Sequence, residues 1–458
     1  MNIDKKELQY YEKLAGKSIK SSVIDPTLYE KYEVKKGLRD INGVGVVAGL
    51  TEIGEVIGHE YVCGEMLSVP GRLKYRGIDI KDIVNNFLSE DRYGFEEVMY
   101  LLLFGNLPSQ KTMDRFNELL SKCRMLPESF IRENILTVPS KDMMNTLARG
   151  VLTLYSYDDE CDDISIPNVV RQCIQLIACF PLLAVYGYQA YLHFHRHESL
   201  TIHNPLYGAS TAENFLHMLR PDSKFTKLEA KLLDLALVLH AEHGGGNNSS
   251  FITHVATSSD TDTYSVIAAA LGSLKGPRHG GSNYQVVRMI EEIKENVSDW
   301  KDEEAISAYL TDILDKKAFD RTGFIYGIGH AVYSISDPRA EILKHYASLL
   351  ADEKGLGDEF QLYSKIEKLA PRVIEKNRTM YKGVSVNVDF YSGLVYKMLN
   401  IPMELITPLF AVARIVGWSA HRLEELANDG KIIRPAYKSV APHREYVKIE
   451  DRPEEEDV

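Results

Sequence analysis

The sequence has few cysteines, and they form no metal-binding or redox motif. The 458 residues include five cysteines, at positions 63, 123, 161, 173 and 179, and no two have C-x-x-C spacing. An odd, scattered set of thiols is typical of a reducing compartment, where disulfides do not persist. The N-terminal stretch MNIDKKELQYYEKL also lacks the apolar segment of a signal peptide. We therefore expect a cytoplasmic protein with reduced thiols.

Positive charge is in deficit. The chain has 53 Lys and Arg against 65 Asp and Glu, so its formal net charge is −12. A nucleic-acid-binding protein is expected to present a basic face, so no nucleic-acid partner is expected here. An anionic ligand would need a local arginine cluster that overrides this negative field.

Long hydrophobic runs are also missing. The most apolar stretch, 176–188, contains Pro181 and is followed by Gln189 and a cluster of His and Arg. This stretch is shorter than the roughly 20 apolar residues that a membrane-spanning helix needs. We therefore expect a soluble protein without a membrane partner.

What the sequence does have is helical periodicity along most of its length. Residues 40–75, rich in Gly and Val, are the one region that favours short strands and turns. The length allows roughly two to four domains, and no internal repeat is present. The fold class is therefore mainly α with a small β region near the N-terminus, a pattern that a helical scaffold would also show. Helices are predicted over 4–15, 80–89, 94–104, 109–123, 141–155, 166–193, 210–219, 226–242, 263–274, 283–297, 302–316, 337–352, 358–377, 390–399, 404–416 and 417–428.

His279 lies in a turn rich in Gly and Pro, L-G-S-L-K-G-P-R-H-G-G-S-N (271–283), just before a predicted helix. The positive end of a helix dipole opposes protonation of a nearby imidazole. A neutral imidazole that donates a hydrogen bond is a good stabiliser of an enolate oxygen. The alternative is a histidine that only caps or packs the turn.

His240 and His243 follow an apolar helical pattern, three residues apart. Such a pair can bind a metal, but no H-E-x-x-H or cysteine partner accompanies it, so we expect no metal. For His240 we expect a buried ring satisfied by backbone groups. His243 precedes a run of glycines, which suggests a loop that approaches a ligand closely.

A second glycine-rich segment contains Gly327, Gly329 and His330. The glycines allow the backbone to approach a ligand. Arg339 follows Asp337-Pro338 at a predicted helix start, where a cation opposes the helix dipole. Either a bound carboxylate or Asp337 is expected to compensate that charge.

Two further charged residues stand in apolar surroundings. Asp389 lies among Val388, Phe390 and Tyr391, where a raised pKa would make it a better general base. The alternative for Asp389 is a helix N-cap. Arg414 lies in L-F-A-V-A-R-I-V-G-W, where a charge is costly unless it is paired with a bound carboxylate or with an Asp or Glu elsewhere.

Taken together, these motifs resemble those of the citrate synthase family. The blocks come in the family's order and span roughly residues 73–435. They are G-P-R-H-G-G-S-N (276–283), G-I-G-H-A-V-Y-S-I-S-D-P-R (327–339), N-V-D-F-Y-S-G (387–393), A-R-I-V-G-W-S-A-H (413–421) and I-R-P (433–435), with weaker matches L-K-Y-R-G (73–77), A-E-N-F-L-H-M (212–218) and H-A-E-H (240–243).

The resemblance implies a residue-by-residue mechanism. Asp389 would remove a proton from the methyl group of acetyl-CoA, His279 would stabilise the enol oxygen, and His330 would polarise the oxaloacetate carbonyl. The remaining residues carried over fall into two sets: His243, Arg339, Arg414 and Arg434 for oxaloacetate, and Ser249, Gly327 and Gly329 for coenzyme A. Lys382 is not matched by a motif and is a candidate substitute for the basic coenzyme A contact that Ser334 does not supply. Arg434 would come from the partner subunit of a homodimer.

The resemblance also implies a two-domain helical fold. Residues 1–279 and 391–458 would form a large domain, and 280–390 a small, mobile domain that binds coenzyme A and closes over the substrates. The implied activity is condensation of acetyl-CoA with oxaloacetate and hydrolysis of citryl-CoA to citrate and coenzyme A, the first step of the tricarboxylic acid cycle. Neither a cofactor nor a metal is implied, because the coenzyme A thioester is a substrate.

Four residues depart from the family pattern: Ile328, Ser334, Gly244 and Ala436. None belongs to the proposed catalytic set, but they bear on the coenzyme A contacts. The activity nearest to the implied one is that of 2-methylcitrate synthase, which uses propionyl-CoA with the same residues. A citrate or citryl-CoA lyase, a helical scaffold that has lost activity and a histidine-dependent metallohydrolase are more distant interpretations.

Overall fold

The computed structural model describes residues 4–40, 44–377, 383–428 and 430–452. Within these ranges the chain is mainly helical with one small sheet, which confirms the predicted fold class. The helices are α1 (Lys5–Ser22), α2 (Thr27–Lys31), α3 (Ile80–Ser89), α4 (Phe95–Phe104), α5 (Gln110–Cys123), α6 (Met143–Tyr155), α7 (Ile166–Arg196), α8 (Thr211–Leu219), α9 (Lys227–His240), α10 (Asn248–Thr257), α11 (Thr263–Leu274), α12 (Ser282–Asn296), α13 (Glu303–Leu314), α14 (Pro338–Lys354), α15 (Gly357–Asn377), α16 (Val388–Met398) and α17 (Ile406–Ala427). Shorter pieces are 3-10 turns at Lys36–Leu38, Met403–Leu405 and Ile449–Asp451, and a π-helical turn at Ile131–Leu136.

The sheet is an antiparallel hairpin with a short third strand. Strands β1 (Gly54–Val62) and β2 (Glu65–Tyr75) pair from Gly54 opposite Tyr75 to Val62 opposite Glu65, and β3 (Ile78–Asp79) pairs with β2. The two loop residues Cys63 and Gly64 both have positive φ, 53° and 88°. Two positive φ angles characterise the tight turn whose twist matches that of the flanking strands.

Two helix predictions near the core were wrong. Helix α10 was missed because its first turn, N-S-S, follows a glycine run and is typical of a loop; Asn247 caps the helix by accepting from the Ser249 amide. The predicted break at Gly417 is absent, and α17 runs through it. A Cβ at Gly417 would lie 2.5 Å from the carbonyl oxygen of Ala241, so this glycine allows close packing and does not end the helix.

Helices α7 and α17 form the centre of the core. Each is long and apolar enough to cross a membrane by length and composition alone. In both, however, 83% of the most apolar window is buried inside the protein. A core helix passes the same test, and burial to this extent accounts for the apolar composition.

The packing brings five chain segments to one place. Helix α17 packs against α7, α9 and α10, while α16 packs against α12 and α14. As a result, the end of α9, the starts of α12, α14 and α16, and the middle of α17 converge. Helix termini present unsatisfied backbone groups and fixed dipoles, so this convergence is a suitable place for a polar site.

Candidate active site

Six of the polar residues singled out in the sequence line one cavity of about 510 Å³. They come from the turn after α9, the turn before α12, the loop before α14, the first turns of α14 and α16, and the middle of α17. These residues are His243, His279, His330, Arg339, Asp389 and Arg414. The cavity therefore combines three imidazoles, two guanidinium groups and one carboxyl group.

The backbone fixes the tautomer of His330. Its Nδ1 accepts hydrogen bonds from the amides of Val332 and Tyr333, at 3.0 and 3.1 Å. Because Nδ1 faces two donors, the proton of the neutral ring must be on Nε2. The ring stacks on Tyr333, with centroids 4.7 Å apart, which holds its plane. His330 is thus arranged to donate a hydrogen bond from Nε2.

His279 contacts a hydroxyl group that has three neighbours. The Ser249 Oγ lies 3.1 Å from Nε2 of His279, 3.0 Å from Oδ1 of Asn247, and accepts from Nε1 of Trp418 at 3.0 Å. The hydroxyl has a single proton, which it donates to Oδ1 of Asn247 in this structure, because an amide oxygen can only accept. Rotation of that proton towards Nε2 of His279 would place the proton of the neutral ring on Nδ1. Burial, and next the charge of Arg414, lower the pKa of His279 to about 4. The ring is therefore neutral at physiological pH, as its position before α12 predicts.

Asp389 lies in the first turn of α16, but it is not the cap. Asn387 is the N-cap, and its side chain accepts from the Asp389 amide at 3.0 Å. The interpretation of Asp389 as an N-cap is therefore wrong. Burial raises the pKa of Asp389 from 3.8 to about 6. A carboxyl group with this pKa is ionised at neutral pH and is a stronger base than an exposed aspartate.

Arg339 is paired within its own helix start. Its Nε and Nη2 donate to Asp337 at 3.0 and 2.7 Å, and both side chains are almost fully buried. Asp337, one of the two compensating anions expected, therefore pairs with Arg339. Asp337 also accepts from the amides of Arg339 and Val388, so it joins the starts of α14 and α16.

Arg414 and His243 retain unused hydrogen-bonding capacity. Arg414 donates from Nε to the carbonyl of His240 at 2.7 Å, but its buried Nη1 has no partner among the described residues. Within the same part of the chain, the buried Nε2 atom of His243 is also without a partner. Unpaired buried polar atoms are costly, so two of them at one cavity indicate that an anionic ligand completes the site.

His240 differs from the expectation of a ring satisfied by backbone groups. Neither of its ring nitrogens has a hydrogen-bond partner in the described ranges, and the ring stacks on Phe410 with centroids 4.4 Å apart. Burial, and next the charge of Arg339, lower the pKa of His240 well below its usual value. It behaves as an apolar ring that packs beside the site.

Sequence reasoning missed a buried pair behind the site. Glu242 accepts from Nε2 of His421 at 3.0 Å and also from the amide of Gly244, which has a φ of 82°. Both side chains of the Glu242–His421 pair are fully buried. Glu242 therefore fixes the turn that carries His243. Because Glu242 and His421 are 179 residues apart, no local spacing could have revealed the pair.

Arg39 and Arg278 also line the cavity and were missed. Arg278 precedes His279 directly, and its adjacency to a candidate residue was a usable signal. Arg39 lies far from the other motifs, in a β-bridge with Gly45. Both add positive charge to the cavity of a protein with a net charge of −12.

The remaining predicted ligand-binding residues are placed differently. Ser249 is buried beneath His279, and Gly329 lines the cavity with a φ of 93°. Gly327 packs closely, since a Cβ there would lie 2.8 Å from the Val286 side chain. Arg434 is exposed on the segment after α17 and is not among the described residues that line the cavity. Lys382 lies outside the described residues.

The chain is similar to known proteins over most of its length. The family described as "Citrate synthase, C-terminal domain" matches residues 42–436. The chain is 35% identical over 388 residues to a citrate synthase of Synechocystis sp., covering 83% of this chain and 88% of the relative. It is 32% identical over 375 residues to a 2-methylcitrate synthase of Shewanella oneidensis, covering 81% of this chain and 90% of the relative.

A solved structure has the same architecture. It is the citrate synthase of the thermophilic archaeon Thermoplasma acidophilum, in a ternary complex with carboxymethyl coenzyme A and oxaloacetate. The TM-score is 0.75 at 27% sequence identity, and the match covers 92% of this chain and 99% of the other.

Proposed function

The chain belongs to the citrate synthase family, and we propose that it condenses acetyl-CoA with oxaloacetate and hydrolyses citryl-CoA to citrate and coenzyme A. This reaction is the first step of the tricarboxylic acid cycle, and the enzyme is an acyltransferase that converts the acyl group to an alkyl group on transfer. The observation that carries the proposal is one cavity lined by Asp389, His279 and His330 together with two arginines.

The first step is removal of a proton from the methyl group of acetyl-CoA. The Asp389 carboxylate takes this proton, and its pKa of about 6 makes it a better base than an exposed aspartate while leaving it ionised at neutral pH. Negative charge develops on the thioester oxygen. In the reacting complex the Ser249 hydroxyl turns its proton from Asn247 to Nε2 of His279, and the neutral ring then donates a hydrogen bond to that oxygen from Nδ1.

The second step joins the two substrates. The enol carbon attacks the carbonyl carbon of oxaloacetate, and the carbonyl oxygen becomes an alkoxide that takes a proton. His330 is suited to polarise this oxygen, because the Val332 and Tyr333 amides restrict its proton to Nε2. Water then attacks the thioester carbon of citryl-CoA, the C–S bond breaks, and citrate and the coenzyme A thiol are released.

Oxaloacetate is a dianion, and its binding requires several donors in one place. The unsatisfied Nη1 of Arg414 and Nε2 of His243, described above, support a role for both as ligands to its carboxylates. Arg339 lines the same cavity, oriented by Asp337. The contacts to coenzyme A are assigned to a second set, which consists of Ser249, Gly327, Gly329 and Lys382.

Arg434 completes the oxaloacetate site from the partner subunit of a homodimer. Its exposure within one chain supports this assignment, because a residue that serves another subunit need not be buried in its own. No cofactor is required, since the coenzyme A thioester is a substrate. We place the enzyme in the cytoplasm.

Residues 280–390 form a small domain that closes over oxaloacetate, while 1–279 and 391–458 form the large domain. Closure excludes water until condensation is complete, after which citryl-CoA is hydrolysed. Small-angle X-ray scattering with and without oxaloacetate tests this step. A radius of gyration that does not fall on addition of oxaloacetate would contradict closure.

The activity is tested by oxaloacetate-dependent release of coenzyme A thiol, with acetyl-CoA and propionyl-CoA compared side by side. We expect fast release with acetyl-CoA, slower release with propionyl-CoA, and none from Asp389→Asn purified in the same way. Absence of release with both thioesters would overturn the proposal.

A second candidate is 2-methylcitrate synthase, and the similarity to the Shewanella oneidensis enzyme favours it as the alternative. The two substrates differ by one methylene group, which an apolar pocket discriminates by only about 1–3 kcal/mol. Equal or faster release with propionyl-CoA in the same assay would establish this alternative.

A further inference from the structure

Helices α10 and α17 bring together two histidines and a glutamate outside the cavity described above. Nε2 of His254 lies 3.1 Å from Nδ1 of His421, and Oε2 of Glu424 lies 3.7 Å from the same Nδ1. One ligand atom from each of the three residues lies within 4.8 Å of the others. These three residues are termed the α10–α17 cluster.

Both imidazoles of the cluster are oriented by carboxylates. Nδ1 of His254 lies 2.7 Å from Oε2 of Glu425, and Nε2 of His421 lies 3.0 Å from Oε1 of Glu242. In the neutral rings, donation to these carboxylates leaves one lone pair on each, and the two lone-pair nitrogens face each other. A histidine that donates its second nitrogen to a carboxylate is the usual arrangement of a metal ligand in proteins.

The third member of the cluster has an unsatisfied oxygen. Oε2 of Glu424 is buried and has no hydrogen-bond partner within the described ranges, whereas its other oxygen accepts from the amide of Glu52 at 2.8 Å. Three carboxylates, those of Glu242, Glu424 and Glu425, therefore surround two imidazoles. Even when the nearby charge of Arg414 is counted against Glu242, the cluster has an excess of negative charge that a dication would neutralise.

A proton is the competitor of such an ion. Without an ion, the 3.1 Å separation of the two facing nitrogens is that of a hydrogen bond, so one proton lies between them. The field that holds this proton favours a dication more strongly, because the attraction grows with the charge of the ion.

The cluster is accessible. His254 and Glu424 line a cavity of about 930 Å³, which is separate from the one that contains Asp389. Tetrahedral Zn²⁺ with bonds near 2.1 Å places its ligand atoms about 3.4 Å apart. Two of the three separations in the cluster, 3.1 and 3.7 Å, bracket that value, and all three are within 4.8 Å. The cavity leaves room for a water molecule as fourth ligand.

We propose that His254, His421 and Glu424 bind a divalent transition-metal ion, for which Zn²⁺ is the best match. The ion replaces the proton that otherwise lies between the two ring nitrogens. It links α10 to α17 and, through Glu242, supports the turn that carries His243. The site is structural and goes beyond the proposed condensation, so its test does not depend on that activity.

The test is equilibrium binding of Zn²⁺ at pH 7.5 by full-length protein stripped with a chelator. Cys63 is an exposed free thiol, a group that competes for zinc, so the parent and every variant carry Cys63→Ser. Metal content after dialysis against Zn²⁺ is measured by mass spectrometry. We expect one Zn²⁺ per chain in the parent and clearly less in His254→Ala and in Glu424→Gln, since even loss of a residue that only orients a ligand weakens metal binding by roughly 10- to 100-fold.

The matched control is His345→Ala, which removes an exposed histidine on α14 and should still bind one Zn²⁺. A second measurement needs no further variant: Co²⁺ added to the stripped parent should give the strong visible absorption of a four-coordinate site. Equal zinc in the parent and in His254→Ala would place the ion elsewhere. No zinc in the parent would mean that the two imidazoles only share a proton, and either result overturns the proposal.

Discussion

Arg339 and Asp337 form a bidentate ion pair at the start of α14, with side chains only 3% and 0% exposed. Because Asp337 also accepts from the Val388 amide, this pair joins the helix that carries Arg339 to the helix that carries Asp389. The relative position of an arginine and a carboxyl group that line the same cavity thus depends on one buried aspartate.

Asp337→Ala should lower the free energy of unfolding by about 3–5 kcal/mol, because it leaves a buried guanidinium unpaired. Urea denaturation followed by circular dichroism measures the change. The control is Glu341→Ala, on the same helix, which breaks the exposed pair with Lys81 and should cost less than about 1 kcal/mol. Equal losses in the two variants would contradict the role given to Asp337.

Asp389→Asn should stabilise the protein at neutral pH while abolishing condensation. The folded pKa of about 6 lies above the ordinary value of 3.8, so the folded state binds the proton more tightly. The ionised carboxylate therefore lowers the free energy of unfolding. This loss is absent below pH 3.8, grows between pH 3.8 and about 6, and is constant at higher pH. At about 1.4 kcal/mol per pKa unit, removal of the charge gains at most about 3 kcal/mol.

Denaturation of the parent and of Asp389→Asn at pH 7.5 and at pH 4 would measure this difference. The gain in the free energy of unfolding should be present in full at pH 7.5 and mostly lost at pH 4. If Asp389→Asn were less stable than the parent at both pH values, the surroundings of Asp389 would have to stabilise its carboxylate form.

The rate should rise with pH through about 6 and then level off. Asp389 must be ionised to act as a base, and its pKa is raised to about 6 by burial. His279, with a pKa lowered to about 4, is already neutral over that range and adds no second step. The measurement is kcat/KM for acetyl-CoA between pH 5 and 9. A rate that does not change between pH 5 and 7 would exclude Asp389 as the titrating base.

Ser249→Ala should lower kcat by about 10-fold or more and destabilise the fold by about 1–3 kcal/mol. The substitution removes the hydroxyl contacted by His279 and leaves Nε1 of the buried Trp418 without an acceptor. Ser250→Ala is the matched control, since the neighbouring Ser250 Oγ is buried without a partner in the described part of the chain. That variant should retain activity and be no less stable. Equal kcat values in the two variants would remove Ser249 from the catalytic arrangement.

A mixture of two inactive variants should recover activity if Arg434 acts across a homodimer. Asp389→Asn and Arg434→Ala each disable both sites of their own dimer. A mixed dimer pairs one doubly defective site with one intact site, so subunits exchanged at equal amounts should regain about a quarter of the parental activity. The control is the same two proteins assayed together without subunit exchange. No recovery after exchange would show that Arg434 serves its own subunit.

The sequence located most helices because each amphipathic segment has its own period and capping signals. The capping box of Thr226 and Glu229 at the start of α9 is an example. Errors arose where a residue type has two uses. Two helices, 404–416 and 417–428, were predicted where the structure has the single helix α17, in which Gly417 allows close approach to Ala241.

In the candidate site, too, residues in local motifs were predicted and residues from distant segments were missed. His279, His330 and Asp389 were singled out from the sequence because each stands in a short motif, and the resemblance to the citrate synthase family implied their roles. Neighbours that come from distant parts of the chain were not found. Arg39 lines the cavity from a segment before the sheet, and no local pattern connects it to the other residues.

The sequence by itself determined the helical class, the family resemblance and the residue types that the chemistry needs. These properties depend on local periodicity, turn chemistry and short motifs. The tertiary structure alone decided which ring nitrogen of His330 carries the proton and that Asp337 pairs with Arg339. It also brought His254, His421 and Glu424 together. The reason is physical: hydrogen bonds and burial act over a few ångströms in space, whatever number of residues separates the partners along the chain.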